Sequence, residues 1–236
     1  MSDAPLDPLA VPAERGAAPV ALPVERASVA ADVALIATFA AFIAVCAVLP
    51  AIPVAGMAVP ITLQTFGVML AGLVLGPRRG ALAVLLYLAV GLAGLPVFAQ
   101  GTGGLAVLGK PSAGYLLAFP LAALLAGLLV APARRLLGGS AATWAATRVP
   151  GLAGRERPLR STLGYLAVFG SAAAASLLLV HPIGITVMGW RLDMSAGEAI
   201  AAGATFLPGD VIKNLLAALV ATAVFRAFPD LLRHRR

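Results

Sequence analysis

The chain has 236 residues, 61% of them hydrophobic and only 11% charged, with a mean hydropathy of +0.98. A soluble domain carries roughly a quarter charged residues, so this composition excludes a water-soluble globular fold and points to an integral membrane protein; with the apolar runs below, the expected fold class is an all-α membrane bundle. The single cysteine, Cys46, lies inside an apolar run and excludes an intrachain disulfide, a cysteine-based zinc site and an iron–sulfur cluster.

Residues 1–31 contain no apolar core; Glu14, Arg15, Glu25 and Arg26 interrupt a stretch rich in Ala and Pro, which reads as a disordered cytoplasmic tail. Six runs then approach the length of a bilayer crossing: residues 33–49, 61–75, 81–98, 115–131, 163–180 and 206–225. Several are slightly short, so interfacial residues must extend them or the bilayer must thin. Helix-ending residues separate them: Pro50 and Pro53, Gly76-Pro77, the stretch 101–111, Gly138-Gly139, and His181-Pro182. Between 183 and 205 the chain is weakly apolar, with a short interfacial helix expected to begin near Ser195, where Glu198 completes a capping pattern. The expected organisation is a six-helix membrane domain over 32–228, with a basic cytoplasmic tail at 229–236.

The net charge of +7 reflects topology rather than a nucleic-acid footprint. Arg15, Arg26, Arg78, Arg79, Arg134, Arg135, Arg148, Arg155, Arg157, Arg160, Arg226, Arg233, Arg235 and Arg236 fall on one side of a six-span arrangement, against Lys110 and Arg191 on the other. The fourteen-to-two bias places both termini in the cytoplasm. Lys213 belongs to neither set, because it sits near the start of the last apolar run.

An ionisable residue within a span costs about 2.5 to 3.5 kcal/mol on insertion scales and marks a candidate functional site. Asp210 and Lys213 share one helix face by their i, i+3 spacing, just after Pro208-Gly209. They read either as a self-neutralising pair at a helix end or as a clamp for a polar ligand. Gln64 lies about one turn inside the second run, with an amide that serves either as interhelical glue or as a ligand contact. The third run ends in a Gly-rich stretch that contains Gln100, either a flexible turn or irregular backbone lining a cavity. The three clusters enter from the first, third and fifth connections, and so converge on one side of the bundle.

Other features have structural readings. His181 before Pro182 reads as a helix-end residue, with no second ligand at metal spacing. Ser171 and His181 do not form a hydrolase site, since Gly-x-Ser-x-Gly is absent. Trp144, Trp190 and Tyr165 read as interfacial belt residues. The small residues Gly67, Ala71, Gly72 and Gly76 permit close helix packing. No Gly-x4-Gly-Lys-Ser/Thr motif occurs, so any ATP hydrolysis that drives the protein belongs to another chain.

The motifs Pro60-Ile61-Thr62-Leu63-Gln64-Thr65, Gly94-Leu95-Pro96-Val97-Phe98-Ala99 with Gly103-Gly104, Gly114-Tyr115-Leu116, and Phe206-Leu207-Pro208-Gly209-Asp210 with Lys213 occur in this order. Through them the chain, over about residues 33–226, resembles the BioY family, the biotin-binding S component of energy-coupling-factor transporters. The resemblance implies a six-helix binding subunit of the plasma membrane, termini inside, that holds the vitamin near the outer face. It carries over Gln64, Gln100, Tyr115, Asp210 and Lys213 as pocket residues. The sequence departs from the family at 108–113, where Gly-Pro-Thr-Gly is usual and Lys110 stands as a cation able to meet a carboxylate.

Biotin's ureido ring presents a carbonyl acceptor and two N–H donors. Asp210 can accept, and Gln64, Gln100 or Lys213 can donate. Phe66, Phe98 or Tyr115 can supply an apolar wall. The valerate carboxylate would take Lys213, Lys110 or water. Ala37-x3-Ala41 and Ala40-x3-Ala44 on the first run let another membrane helix approach, and the resemblance makes this face the expected dock for a transmembrane coupling subunit, with ABC ATPase subunits behind it. No cofactor, metal or nucleic acid is expected. The alternatives are a stand-alone secondary transporter, disfavoured by the lack of obvious inverted repeats, and an intramembrane enzyme, for which no nucleophile–base pair or metal set is present.

Overall fold

The computed structural model describes residues 29–52, 59–137 and 156–228. Among them the chain is helical: α1 (Val29–Val48), α2 (Gln64–Leu75), α3 (Pro77–Leu92), α4 (Ala113–Leu137), α5 (Glu156–Ala175), α6 (His181–Arg191), α7 (Ala196–Ala204) and α8 (Leu207–Ala227). The only extended pairings among the described residues are single antiparallel bridges, Ile52 with Ile61 and Phe98 with Thr102. The expected tail up to residue 28, the Gly138-Gly139 break, Trp144, and the expected tail at 229–236 lie outside the described residues. The sequence expectation put the tail through residue 31, but α1 begins at Val29.

Among the described residues, four helical stretches are long and apolar enough to cross a bilayer: Val29–Val48, Ala113–Arg134, Thr162–Arg191 and Leu207–Ala227. The other two runs form shorter helices. α2 has 12 residues and α3 has 16, about 18 and 24 Å at 1.5 Å per residue. Only Gly76 separates them. Its φ of +84°, a left-handed conformation open to glycine, reverses the chain, and Pro77 starts α3 where its missing N–H costs nothing.

The third and fifth runs depart from the expected boundaries. α3 stops at Leu92, before Gly94 at φ +113°, so residues 93–98 are not helical. The fifth run, by contrast, continues past His181-Pro182. Ser176–Val180 form a π-helical turn in which the His181 N–H bonds the Ser176 carbonyl, and α6 follows directly, so 162–191 is one apolar rod. Proline is tolerated within this rod because the π-helical turn just before it is the kind of local adjustment that accommodates a missing N–H in a membrane helix. The expected capping box at the start of α7 is present: Ser195 Oγ accepts from the Glu198 N–H, and the Ser195 N–H donates to Glu198 Oε2 at 2.8 Å.

The core runs through the bundle as Ala, Val, Leu and Met from α1–α5 and α8. Close approach is permitted by small residues. A Cβ on Gly72 would overlap the Ala123 backbone of α4, and one on Gly80 would crowd Gly72 itself, so α2, α3 and α4 meet at backbone distance. At the end of the bundle that carries Gly76, Asp32 of α1 pairs with Arg79 of α3 at 2.7 Å. The 93–112 connection lies at the opposite end, together with the starts of α2, α4 and α8.

Candidate ligand-binding site

A cavity of about 270 Å³ opens at that opposite end, near the lower limit for small-molecule sites, which run from roughly 300 Å³ upward. Three stretches of chain line it: 59–65 leading into α2, the irregular connection 98–112 with the first turns of α4, and Phe206, Asp210 and Lys213 at the start of α8. Gln64, Gln100, Tyr115, Asp210 and Lys213 all face it.

Asp210 and Lys213 are buried, 6% and 8% exposed. The Lys213 ammonium contacts Asp210 Oδ1 and donates to the Thr62 carbonyl at 3.1 Å. Thr65 Oγ1 donates to the same Oδ1 at 3.2 Å, and His181 Nε2 stands 3.0 Å from Oδ2. Such multiple contacts are what a buried carboxylate needs to remain in an apolar bundle. The Thr62 carbonyl is available because the chain is non-helical just before α2, while Pro208 in the first turn of α8 starts the helix that projects Asp210 inward.

Gln64 is 4% exposed, and its Nε2 donates to the Tyr87 hydroxyl at 2.8 Å. That hydroxyl in turn donates to the Val97 carbonyl at 3.2 Å. One amide hydrogen is thus committed to α3, and the Gln64 carbonyl oxygen remains as an acceptor. Gln100 is exposed at the rim, in a left-handed conformation at φ +60° within the turn Ala99–Gly101. The ring of Tyr115 stacks edge-on against Phe206, with centroids 5.8 Å apart. It is seated on Gly184, where any Cβ would overlap it, and its hydroxyl has no partner among the described residues. Phe98 also lines the cavity and packs at 90° on Tyr87; Phe66 does not line it and packs instead on Phe42 of α1. Lys110 lies on the lining with no described partner, while Arg191 donates to the neighbouring Leu108 carbonyl at 3.1 Å.

Three of the residues around the cavity do not stand out in the sequence: Thr65 reads only as part of a motif, Tyr87 as one more residue of an apolar run, and His181 as a helix end. A buried phenol needs a hydrogen-bond partner, and a histidine within a span is a functional candidate by default; those were the available signals. On α1 the two small-residue lines separate. Ala37 and Ala41 are exposed, but Ala40 is 7% exposed within the core and Ala44 is half-buried, so Ala40 is not open to a partner. Adjacent lines on a helix differ by about 60°, which is enough to turn one inward. Tyr165, expected in the interfacial belt, donates to the Leu215 carbonyl of α8 at 3.0 Å, and Trp190 is exposed.

No group of three metal-ligating side chains occurs among the described residues. A polar, ring-walled recess let into one end of an apolar helical bundle is what a membrane protein needs to capture a small polar solute, and the chain is of that class. Residues 20–230 match the model of the BioY family, and the chain belongs to that family. It is 39% identical over 204 residues to the biotin transporter BioY of Rhodobacter capsulatus, covering 86% of this chain and 98% of that one. The biotin transporter BioY of Rhizobium etli is 35% identical over 198 residues, with 84% and 95% covered. Among solved structures, the S component for biotin of an ECF-type ABC transporter superposes with a TM-score of 0.63 at 26% identity, covering 83% of this chain and 90% of that one.

Proposed function

We propose that the chain is the biotin-binding S component of an ECF-type ABC transporter, a transport subunit rather than an enzyme. The observation that carries this reading is the buried Asp210–Lys213 pair on a cavity that also offers amides and rings, in a chain aligned almost end to end with biotin transporters. Asp210 accepts a ureido N–H, Gln100 and Lys213 supply donors for the ureido oxygen, and Phe98, Tyr115 and Phe206 wall the bicyclic ring. Lys213 already serves Asp210 and the Thr62 carbonyl, so Lys110 at the lining is the better cation for the valerate carboxylate. Mass spectrometry of the small molecule that copurifies from membranes, followed by calorimetry with biotin, tests the reading. Recovery of another solute, with no biotin binding, overturns it.

Six passes in the plasma membrane, with the 32–228 domain spanning it, both termini cytoplasmic and the cavity outside, account for the basic-residue bias and for the pairing of Asp32 with Arg79 at one end. In a Cys46→Ala background, an impermeant thiol reagent added to whole cells should label Leu105→Cys, whose native side chain is 70% exposed, and leave Arg78→Cys unlabelled. The reverse pattern inverts the topology.

The coupling subunit is placed against the exposed line of α1 through Ala37 and Ala41, with the ATPase subunits acting through it. Ala41→Trp should reduce ATP-driven uptake in the reconstituted transporter severalfold by preventing close helix approach. Biotin affinity in detergent should stay within about twofold of wild type, because α1 supplies no cavity residue. Equal loss of binding and uptake would make this line part of the internal packing.

A further inference from the structure

The carboxylate at the centre of the cavity has a neighbour that does not itself line the cavity. His181 Nε2 lies 3.0 Å from Asp210 Oδ2, with side-chain exposures of 6% and 8%. On the other oxygen, Oδ1 already meets the Lys213 ammonium and the Thr65 hydroxyl. Each carboxylate oxygen has about two acceptor positions. Oδ1 is therefore filled, while Oδ2 has His181 Nε2 beside it in ion-pair contact and an acceptor position left over.

The π-helical turn accounts for how His181 reaches this place. Ser176–Val180 hold one more residue per turn than an α-helix, and the His181 N–H closes the turn on the Ser176 carbonyl. An extra residue rotates all later side chains by roughly 100° relative to an uninterrupted helix. With that rotation, α6 serves the cavity from behind at two points: His181 against Asp210, and Gly184 beneath the Tyr115 ring. A regular helix through the same residues would aim His181 away from the carboxylate.

We propose that His181 is a positioning residue for ligand selection. The contact of its Nε2 with Oδ2 holds the carboxylate in place, so that the remaining acceptor position of Asp210 faces the cavity and takes one N–H of the ligand. Without it, Asp210 is held through Oδ1 alone, and the carboxylate can turn about its broad terminal torsion. The consequence is selectivity for N–H donors rather than bulk affinity for the ring system. This inference rests on the reading of the cavity as a biotin site.

The test uses the full chain in nanodiscs and two ligands, biotin and a biotin analogue methylated on both ureido nitrogens. Wild type should bind biotin and discriminate against the analogue. His181→Phe should weaken biotin about tenfold or more, the scale of a lost charge-assisted hydrogen bond, while the analogue changes less than about twofold. His181→Gln, whose amide can donate to Oδ2, should restore most of the discrimination. A merely structural role would weaken both ligands alike, and an unchanged biotin-to-analogue ratio in His181→Phe overturns the proposal. Nitrogen-15 imidazole spectra give a readout independent of ligand: the chain has two histidines, and the signals lost in His181→Gln belong to His181. A hydrogen on Nε2 whose shift moves in Asp210→Asn supports the positioning role even if wild type binds neither ligand, a result that would sink the biotin reading alone. A bare Nε2 sinks the positioning role whatever the ligand.

Discussion

Replacing Asp210 and Lys213 together by Leu and Met should lower biotin affinity at least tenfold while leaving the protein folded. The two demands on this pair are separable. If the residues only neutralised each other, an apolar pair of similar volume would be nearly neutral or stabilising, as buried ion pairs often are. If they hold the ligand, the double replacement removes charge-assisted hydrogen bonds worth on the order of 1.5 to 3 kcal/mol each. The double variant is the informative one, because Lys213→Met alone strands a carboxylate that is 6% exposed and confuses misfolding with lost binding. Asp210→Asn keeps the size and one acceptor oxygen and should weaken binding less than the double variant. Calorimetry on folded protein that returns wild-type affinity for both variants would leave the pair as a structural neutralisation and move the site elsewhere on the cavity wall.

At the far end of the bundle, Arg134→Ala should destabilise the fold without touching the ligand. Arg134 on α4 reaches the Leu73 carbonyl and, at 2.9 Å, the Val74 carbonyl of α2, and its guanidinium stands 4.9 Å over the Phe225 ring of α8. The last carbonyls of a helix have no following N–H to bond them, and the negative end of the helix dipole favours a cation there. One planar side chain thus closes α2 and ties three helices. Its removal leaves two carbonyls without their partner and a void beside Phe225, a loss on the order of 2 to 4 kcal/mol. Thermal denaturation in detergent should show a clear fall in Tm. Arg134→Lys should recover only part of it, since an ammonium can donate to the two carbonyls but lacks the planar face that lies over the Phe225 ring. Biotin affinity of the folded fraction should be unchanged; an Arg134→Ala protein as stable as wild type would mean that the contacts contribute nothing net.

Composition and the apolar runs made the helical membrane class legible, and Pro208-Gly209, Gly76-Pro77 and the Ser195–Glu198 box marked helix ends correctly because each acts through its own neighbours. The boundaries that went astray depend on something other than local composition. Val97 and Phe98 are as apolar as any helix residue, but Gly94 has already turned the chain, and Phe98 is held by Thr102 and packed on Tyr87 instead. His181-Pro182 has the look of a helix end, yet the π-helical turn absorbs the proline. The lining of the candidate cavity was legible where polarity stood out in an apolar run, as at Gln64, Asp210 and Lys213. Contacts made across distance were not. Tyr87 bonds Gln64 from 23 residues away and Thr65 bonds Asp210 from 145 away, and no spacing in the sequence encodes either. The small residues of α1 show the same limit: their period is visible, but which line faces inward is decided by the helices they meet.

α1 packs along α2 and α3 and is pinned to α3 through Asp32 and Arg79, yet it gives no residue to the cavity. The chain segments that line the candidate cavity, 59–65, 98–119 and 206–213, are disjoint from the helix proposed to meet the coupling subunit. Mutations can therefore accumulate in one set without disturbing the other. If the proposed cavity and the proposed Ala37–Ala41 dock are what they are read to be, a duplicated copy is free to drift toward a new cargo while the dock stays fixed, and cargo and partnership become separately heritable traits.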